Sequence, residues 1–241
     1  AAKVKEISTA IDRNVIRAGF STAWISWIHM ENFSAWHNVP IGTKENGFGG
    51  LDTEFIFNSP LHVKHIQHLA DWQKEKIFIY GGRRNLGNAK FQTGQVAMYT
   101  ESSAGYAGMK ANCKFEFGTS FLPYWPDEKG APQNTIIGGA SLWVLQGHSA
   151  EEYKGVAAFF NYISKAEVQS DWHQFTGYLP ITTAAYEYTK KQGVYNEKPD
   201  METALKQMTM HKPTANSKGL RFGNYVQMRS IMYDEFEAIF A

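Results

Sequence analysis

The chain has 241 residues, 43% of them hydrophobic, and its 24 Lys and Arg nearly balance 23 Asp and Glu. A net charge of +1 is a poor footprint for nucleic acid or an anionic membrane, both of which recruit clustered basic side chains. The single cysteine, Cys113, excludes an intrachain disulfide and a multi-cysteine metal site, and no apolar run reaches the roughly 18–20 residues that span a bilayer.

In chain order, AAKVKEISTAIDR (1–13) reads as a helix entered part-way. It lacks the charged, apolar and small-residue succession of a secretory signal, so a processed or truncated piece of a longer protein is expected. WISWIHMENFSAW (24–36) concentrates Trp24, Trp27, Phe33 and Trp36. Such rings either fill a core or form a platform on which the C–H face of a polyol or sugar stacks.

The spacing predicts a helix over 59–76, with Ser59 as N-cap and Pro60 in the first turn, where its missing N–H costs nothing. Val63, Ile66, Leu69 and Ala70 recur there at helical intervals. His62, His65 and His68 fan around that helix and are expected on a solvated face. A metal site would need further ligands from elsewhere.

KIFIYGG (76–82) reads as a strand entering a glycine turn, and residues 91–105 as a turn at Gly94, a short strand and a small-residue loop. CKFEFGTSFLPYW (113–125) alternates like another strand. NTIIGGASLWV (134–144) reads as a buried strand interrupted by two glycines, which pack nothing and cost backbone entropy. Ser149 with Glu152 and Ser164 with Glu167 predict two capping boxes, and Gly177 ends the second helix. Further helices are expected over 182–193, 201–210 and 222–240.

Helices interspersed with short strands indicate an α/β fold. No nucleotide-binding, zinc-protease or serine-hydrolase fingerprint occurs, so no enzyme is expected. Arg221 and Arg229 lie in a weakly charged stretch. A buried guanidinium needs an anion, which a structural carboxylate or a phosphate ligand can equally supply.

Three segments carry a more specific signal. FSAW with the preceding tryptophan pair, APQNTIIGGASLWV, and GYLPIT followed by KGLRFGN resemble, in order and spacing, the sn-glycerol 3-phosphate-binding proteins of bacterial ABC importers. KFQTGQVAM is similar to a loop-and-strand element of the wider sugar-binding relatives. The resemblance implies a type II periplasmic-binding-protein-like fold, a two-lobed clamp closing on ligand. It implies that this chain is the C-terminal lobe, with most of the N-terminal lobe absent. By that analogy 1–137 and 183–241 form the C-terminal lobe, and 138–182 packs on the N-terminal one.

The resemblance also implies ligand contacts. Ser102 supplies a hydroxyl, Gly139 its amide, Tyr178 its phenol and Arg229 a charged fork to the phosphate, while Trp24 and Trp27 wall the glycerol carbons. The paired glycines, lacking side chains, let a ligand oxygen reach a backbone N–H. The roles of Ser103 and Arg221 are left open, and departures from the pattern near 83–90 and 104–112 bear on ligand range.

The expected partners are a phosphorylated polyol, the membrane-spanning permease subunits of the importer, and either the missing lobe or a second copy. That last partner covers an apolar surface around Val144, Phe159 and Phe160. A periplasmic or cell-surface location follows, with no cofactor and no metal. The alternatives are a binding protein for uncharged carbohydrate, in which Arg229 is dispensable, and a metal-dependent enzyme using the histidine fan.

Overall fold

The computed structural model describes Ala2, Lys3, Glu6 and residues 17–241. The helix expected over 1–13 therefore lies for the most part outside the described residues.

The centre is a short parallel pair. β1 (Ala18–Thr22) runs beside β2 (Val96–Thr100), with Ala18 opposite Val96 and Thr22 opposite Thr100. Every residue of β1 is buried, as expected where both faces of a parallel sheet are covered. On its other edge Phe20 makes a single parallel bridge to Phe78. The strand expected over 76–82 stops there for a local reason. The Tyr80 N–H donates to the Gln73 side chain rather than to a neighbouring strand. At Gly81 an added Cβ would lie 2.5 Å from the Gly87 Cα, and Gly82 has φ +103°, so the chain turns away.

After β1 a π-helical turn, Trp27–Asn32, leads into α1 (Phe33–Trp36). α2 (Pro60–Lys74) begins as expected, with the Ser59 hydroxyl accepting the His62 N–H. Its buried face holds Leu61, His62, Leu69 and Ala70, whereas Val63 points outward. α3 (Asn88–Gln92) precedes β2, and α4 (Tyr106–Asn112) follows a 3-10 turn at Ser103–Gly105. Then come α5 (Ala150–Ile163), α6 (Ala166–Thr176), α7 (Thr183–Lys191), α8 (Val194–Glu197), α9 (Asp200–Met208) and α10 (Tyr225–Phe240). No helix among the described residues is long and apolar enough to cross a membrane.

The main core joins β1, α2 and α10. Met228, Met232, Tyr233, Phe236 and Phe240, one face of α10, pack with Phe20, Ile25, Met30, Leu69 and Phe78. Each large side chain buried in this way contributes about 1.5–3 kcal/mol. A smaller cluster of Val194, Tyr195 and Met201 sits against Tyr106 and Tyr186.

Several expectations are corrected. Residues 113–125 form no ladder, because side chains satisfy their backbone. Thr119 N–H donates to Asp200 Oδ1 at 2.8 Å, the Leu122 carbonyl accepts from the Trp36 indole at 3.0 Å, and Trp125 N–H donates to His37 at 3.0 Å. The segment 134–144 is not a strand either. Its first part is pinned by side chains and from Ile137 onward it is exposed. The Ser149–Glu152 capping box is present. The Ser164–Glu167 box is absent, because Ser164 terminates α5 and Lys165 takes the N-cap of α6 without a side-chain bond. Gly177, at φ +83°, ends α6.

The histidine fan is not a solvated face. His62 is buried between the Ser34 and Ser59 hydroxyls, at 2.8 and 2.7 Å. His65 stacks on Phe33 and lies 3.1 Å from His29, while His68 bonds the Lys64 carbonyl at 2.7 Å. The reason is that α2 turns this face toward Phe33 and Ser34, where imidazoles fill volume and still find partners.

Candidate functional site

The carboxyl ends of β1 and β2 lie side by side, the place where open parallel sheets collect their ligand groups. Beyond β1, Ala23 N–H still bonds the Thr100 carbonyl, and Trp24 then breaks away at φ 45° with its N–H on the Arg84 carbonyl. That left-handed residue swings Trp24 out of the sheet and starts the turn from which Trp27 projects. Beyond β2, Glu101 and Ser102 occupy the matching position. The Ser102 N–H donates to Glu101 Oε1 at 2.7 Å, and the Ser102 hydroxyl accepts the Ala104 N–H at 3.3 Å.

The remaining predicted residues join this point in a chain of contacts. Gly177 packs so closely on the next turn that a Cβ there would lie 2.5 Å from the Ser103 carbonyl oxygen. Tyr178 follows, its carbonyl accepting from His173 Nδ1 at 2.6 Å and its ring half-exposed. Gly139 lies against that ring, its built Cβ 3.4 Å from Tyr178 Cε1. Gly138 lies against the indole of Trp27, where an added Cβ would fall 2.7 Å from Cζ2.

The two glycines therefore have separate causes. A side chain at Gly138 would enter the Trp27 ring. Gly139 needs the left-handed backbone, φ +97°, that glycine adopts without strain.

The glycine segment is held from behind. Gln133 N–H bonds the Trp36 carbonyl, and Asn134 exchanges two bonds with His211, at 2.7 and 2.8 Å. Ile136 N–H donates to Asn32 Oδ1 at 3.0 Å, while Asn32 Nδ2 donates to the Trp27 carbonyl at 3.2 Å. One buried amide thus ties the glycines to the tryptophan beneath them.

Arg229 reaches the same helical turn from α10. Its Nε donates to Glu31 Oε1 at 2.7 Å, and its Nη2 to Glu31 Oε2 at 2.6 Å and to the Tyr225 hydroxyl at 3.2 Å. Glu31 is fully buried and sits four residues after Trp27. Burial opposes the charge on Arg229, but Glu31 and Tyr225 more than offset it and hold the guanidinium protonated. Burial, with the Glu31 charge, raises the Tyr225 phenol. Among the described residues Nη1 has no protein acceptor.

Glu31, Asn32 and Glu101 were not singled out from sequence. The only signal for Glu31 and Asn32 is a charged and an amide residue inside the aromatic run WIHMENF. Among the described residues Arg221 makes no ion pair; its backbone N–H donates to the Asn46 carbonyl at 2.9 Å beneath the Gly47 turn. Among the described residues no group of three metal-ligating side chains converges; in the fan His62 bonds protein partners through both ring nitrogens, His65 through Nε2 and His68 through Nδ1.

Residues 3–203 match the family of bacterial extracellular solute-binding proteins. The sn-glycerol-3-phosphate-binding periplasmic protein UgpB of Yersinia pestis bv. Antiqua (strain Antiqua) is 50% identical over 221 residues, covering 92% of this chain and 50% of that protein. The crystal structure of UgpB from Mycobacterium tuberculosis in complex with glycerophosphocholine superposes with a TM-score of 0.67 at 19% identity, covering 99% of this chain and 62% of that one. A maltose/maltodextrin-binding domain MalE from Bdellovibrio bacteriovorus, bound to maltotriose, gives 0.71 at 14% identity, over 100% and 60% of the two chains. The fold is thus that of the type II periplasmic binding proteins, and the chain spans about half the length of the curated relatives it matches. It belongs to the bacterial extracellular solute-binding proteins.

Proposed function

We propose that this member of the bacterial extracellular solute-binding proteins is one lobe of the binding subunit of an ABC importer. It captures sn-glycerol 3-phosphate or a related glycerophosphodiester in the periplasm and delivers it to the membrane permease, without catalysis. The observation that supports this reading is a run of neighbours: Glu101 between Trp24 and Ser102, Ser103 against Gly177 beside Tyr178, Gly139 against the Tyr178 ring, Gly138 against Trp27, and Arg229 on Glu31 one turn beyond Trp27. It combines two ring faces for the glycerol carbons, hydroxyl and amide donors, and a guanidinium. Half the length of a similar protein named for sn-glycerol 3-phosphate supports the ligand class.

In this reading 1–137 and 183–241 form the C-terminal lobe and 138–182 packs against the N-terminal lobe. The surface that would be covered is strongly apolar. Trp143 is 84% exposed and Leu145 70%, and with Val144, Phe159 and Phe160 they line an open cavity of about 300 Å³. Ligand-driven closure needs contacts completed from both lobes, so this lobe alone binds weakly.

Calorimetry tests the reading. The chain joined to the missing lobe should bind sn-glycerol 3-phosphate or glycerophosphocholine at micromolar affinity or better, about −8 kcal/mol. The chain alone should bind far more weakly. Binding of phosphate-free oligosaccharide, insensitive to Arg229, would replace the reading with a carbohydrate-binding one.

A further inference from the structure

Glu101 is a carboxylate that the proposed ligand contacts do not use, placed directly beside Ser102. One oxygen accepts the Ser102 N–H, and the other, Oε2, is buried with no hydrogen bond of ordinary geometry among the described residues. It is wedged against the following turn, where a Cβ on Gly105 would lie 2.6 Å from the Glu101 Cγ and 3.6 Å from Oε2. A buried acceptor-only oxygen without a well-aligned donor is a costly arrangement for an ionised carboxylate, and a proton on the group relieves it.

We propose that Glu101 is a proton-linked positioning residue of the ligand site: it holds Ser102 and the Trp24 wall as a neutral acid when an anionic ligand is bound, and its ionisation opposes binding. This rests on the function proposed above.

Among the described residues no other charge compensates that of Glu101. From the turn after β1 Glu101 meets Trp24, from α3 Asn88, from β2 Tyr99, and from the next turn Ser102 and Gly105. Arg84, whose carbonyl accepts the Trp24 N–H, makes no ion pair with it. His29, reaching Thr100 at 3.4 Å, is held at about 4 by burial and stays neutral throughout the relevant range. Burial pushes the Glu101 carboxyl up to about 7, against the Ser102 N–H and the side chains of Trp24 and Asn88, which act to lower it.

A ligand anion settling near Ser102 raises the group further. By reciprocity, protonating Glu101 then strengthens binding of that anion by the same factor. Acidification through neutrality should tighten binding, with proton uptake.

The probe is glycerophosphocholine, whose phosphodiester does not titrate near neutral pH, offered to this chain joined to the proposed lobe. Its affinity should rise roughly three- to tenfold from about pH 8.5 to about pH 6, up to one pKa unit of linkage. Calorimetry in two buffers of different ionisation heat should show proton uptake near pH 7.5, a readout that needs no variant. Glu101→Gln should bind at the acid-limit affinity at every pH and take up no proton. A flat profile without uptake in the unaltered protein, or the same pH slope in Glu101→Gln, overturns the proposal while leaving the functional reading intact. Failure to bind the phosphodiester at any pH removes both.

Discussion

Both oxygens of the buried Glu31 carboxylate grip the guanidinium of Arg229, across 198 residues of chain. The pair ties α10 to the turn that carries Trp27, so the residue proposed to meet the ligand phosphate is also a structural strut. Loss of binding on removing Arg229 is therefore ambiguous unless stability is measured beside it.

Arg229→Ala should destabilise the protein by about 3–5 kcal/mol, because it leaves the Glu31 carboxylate buried and unpaired. Glu31→Gln combined with Arg229→Met removes both charges and should recover most of that loss. Urea unfolding of the two variants checks this. The double variant should remain unable to bind phosphate esters, which separates the strut from the ligand contact.

The glycine pair should respond to alanine in two different ways. Gly138→Ala drives a methyl into the Trp27 ring and should shift the tryptophan emission. Gly139→Ala forces a left-handed backbone costing about 1–2 kcal/mol. The segment is exposed and already bounded by side-chain clamps, so both should lower ligand affinity at least tenfold while the unfolding midpoint moves little. Fluorescence and denaturation on the same samples decide it.

Asn32→Ala should act through position alone. It strands the buried Ile136 N–H, a loss of about 1–3 kcal/mol, and frees the glycines from Trp27. Asn32→Asp keeps the acceptor for Ile136 but loses the donor to the Trp27 carbonyl. Ligand affinity should fall in both, and amide exchange should speed at residues 136–139 rather than in the core.

The histidines beneath the site predict acid sensitivity. Burial lowers His29 and His62 to about 4 and His65 well below its ordinary value of 6.5. The Ser59 hydroxyl and the Ser34 oxygen suit a neutral His62 ring, and His37 donates to the Phe33 carbonyl while accepting from Trp125 N–H, which also requires neutrality. Unfolded, these rings bind protons below about pH 6.5, whereas folded they do not. Stability is therefore complete above pH 6.5 and is lost as pH falls from there toward 4. Urea midpoints taken across that window should fall steadily, and His62→Gln should flatten the slope.

Local physics in the sequence reached a long way. Ser59 with Pro60, Ser149 with Glu152, and Gly177 mark helix ends through bonds made within a few residues, and each stands where the pattern puts it. Composition and motif order also pointed to an α/β binding protein. Tertiary structure decided the rest. Whether residues 113–125 pair as a strand depends on Asp200 and on the distant Trp36 and His37, and whether the His62 face meets water depends on where Phe33 and Ser34 lie. The Gly138 approach to Trp27, the Glu31 grip on Arg229 and the stranded Glu101 oxygen arise only when segments far apart in sequence are brought together. Their energies come from through-space burial and pairing, which periodicity along one chain does not encode.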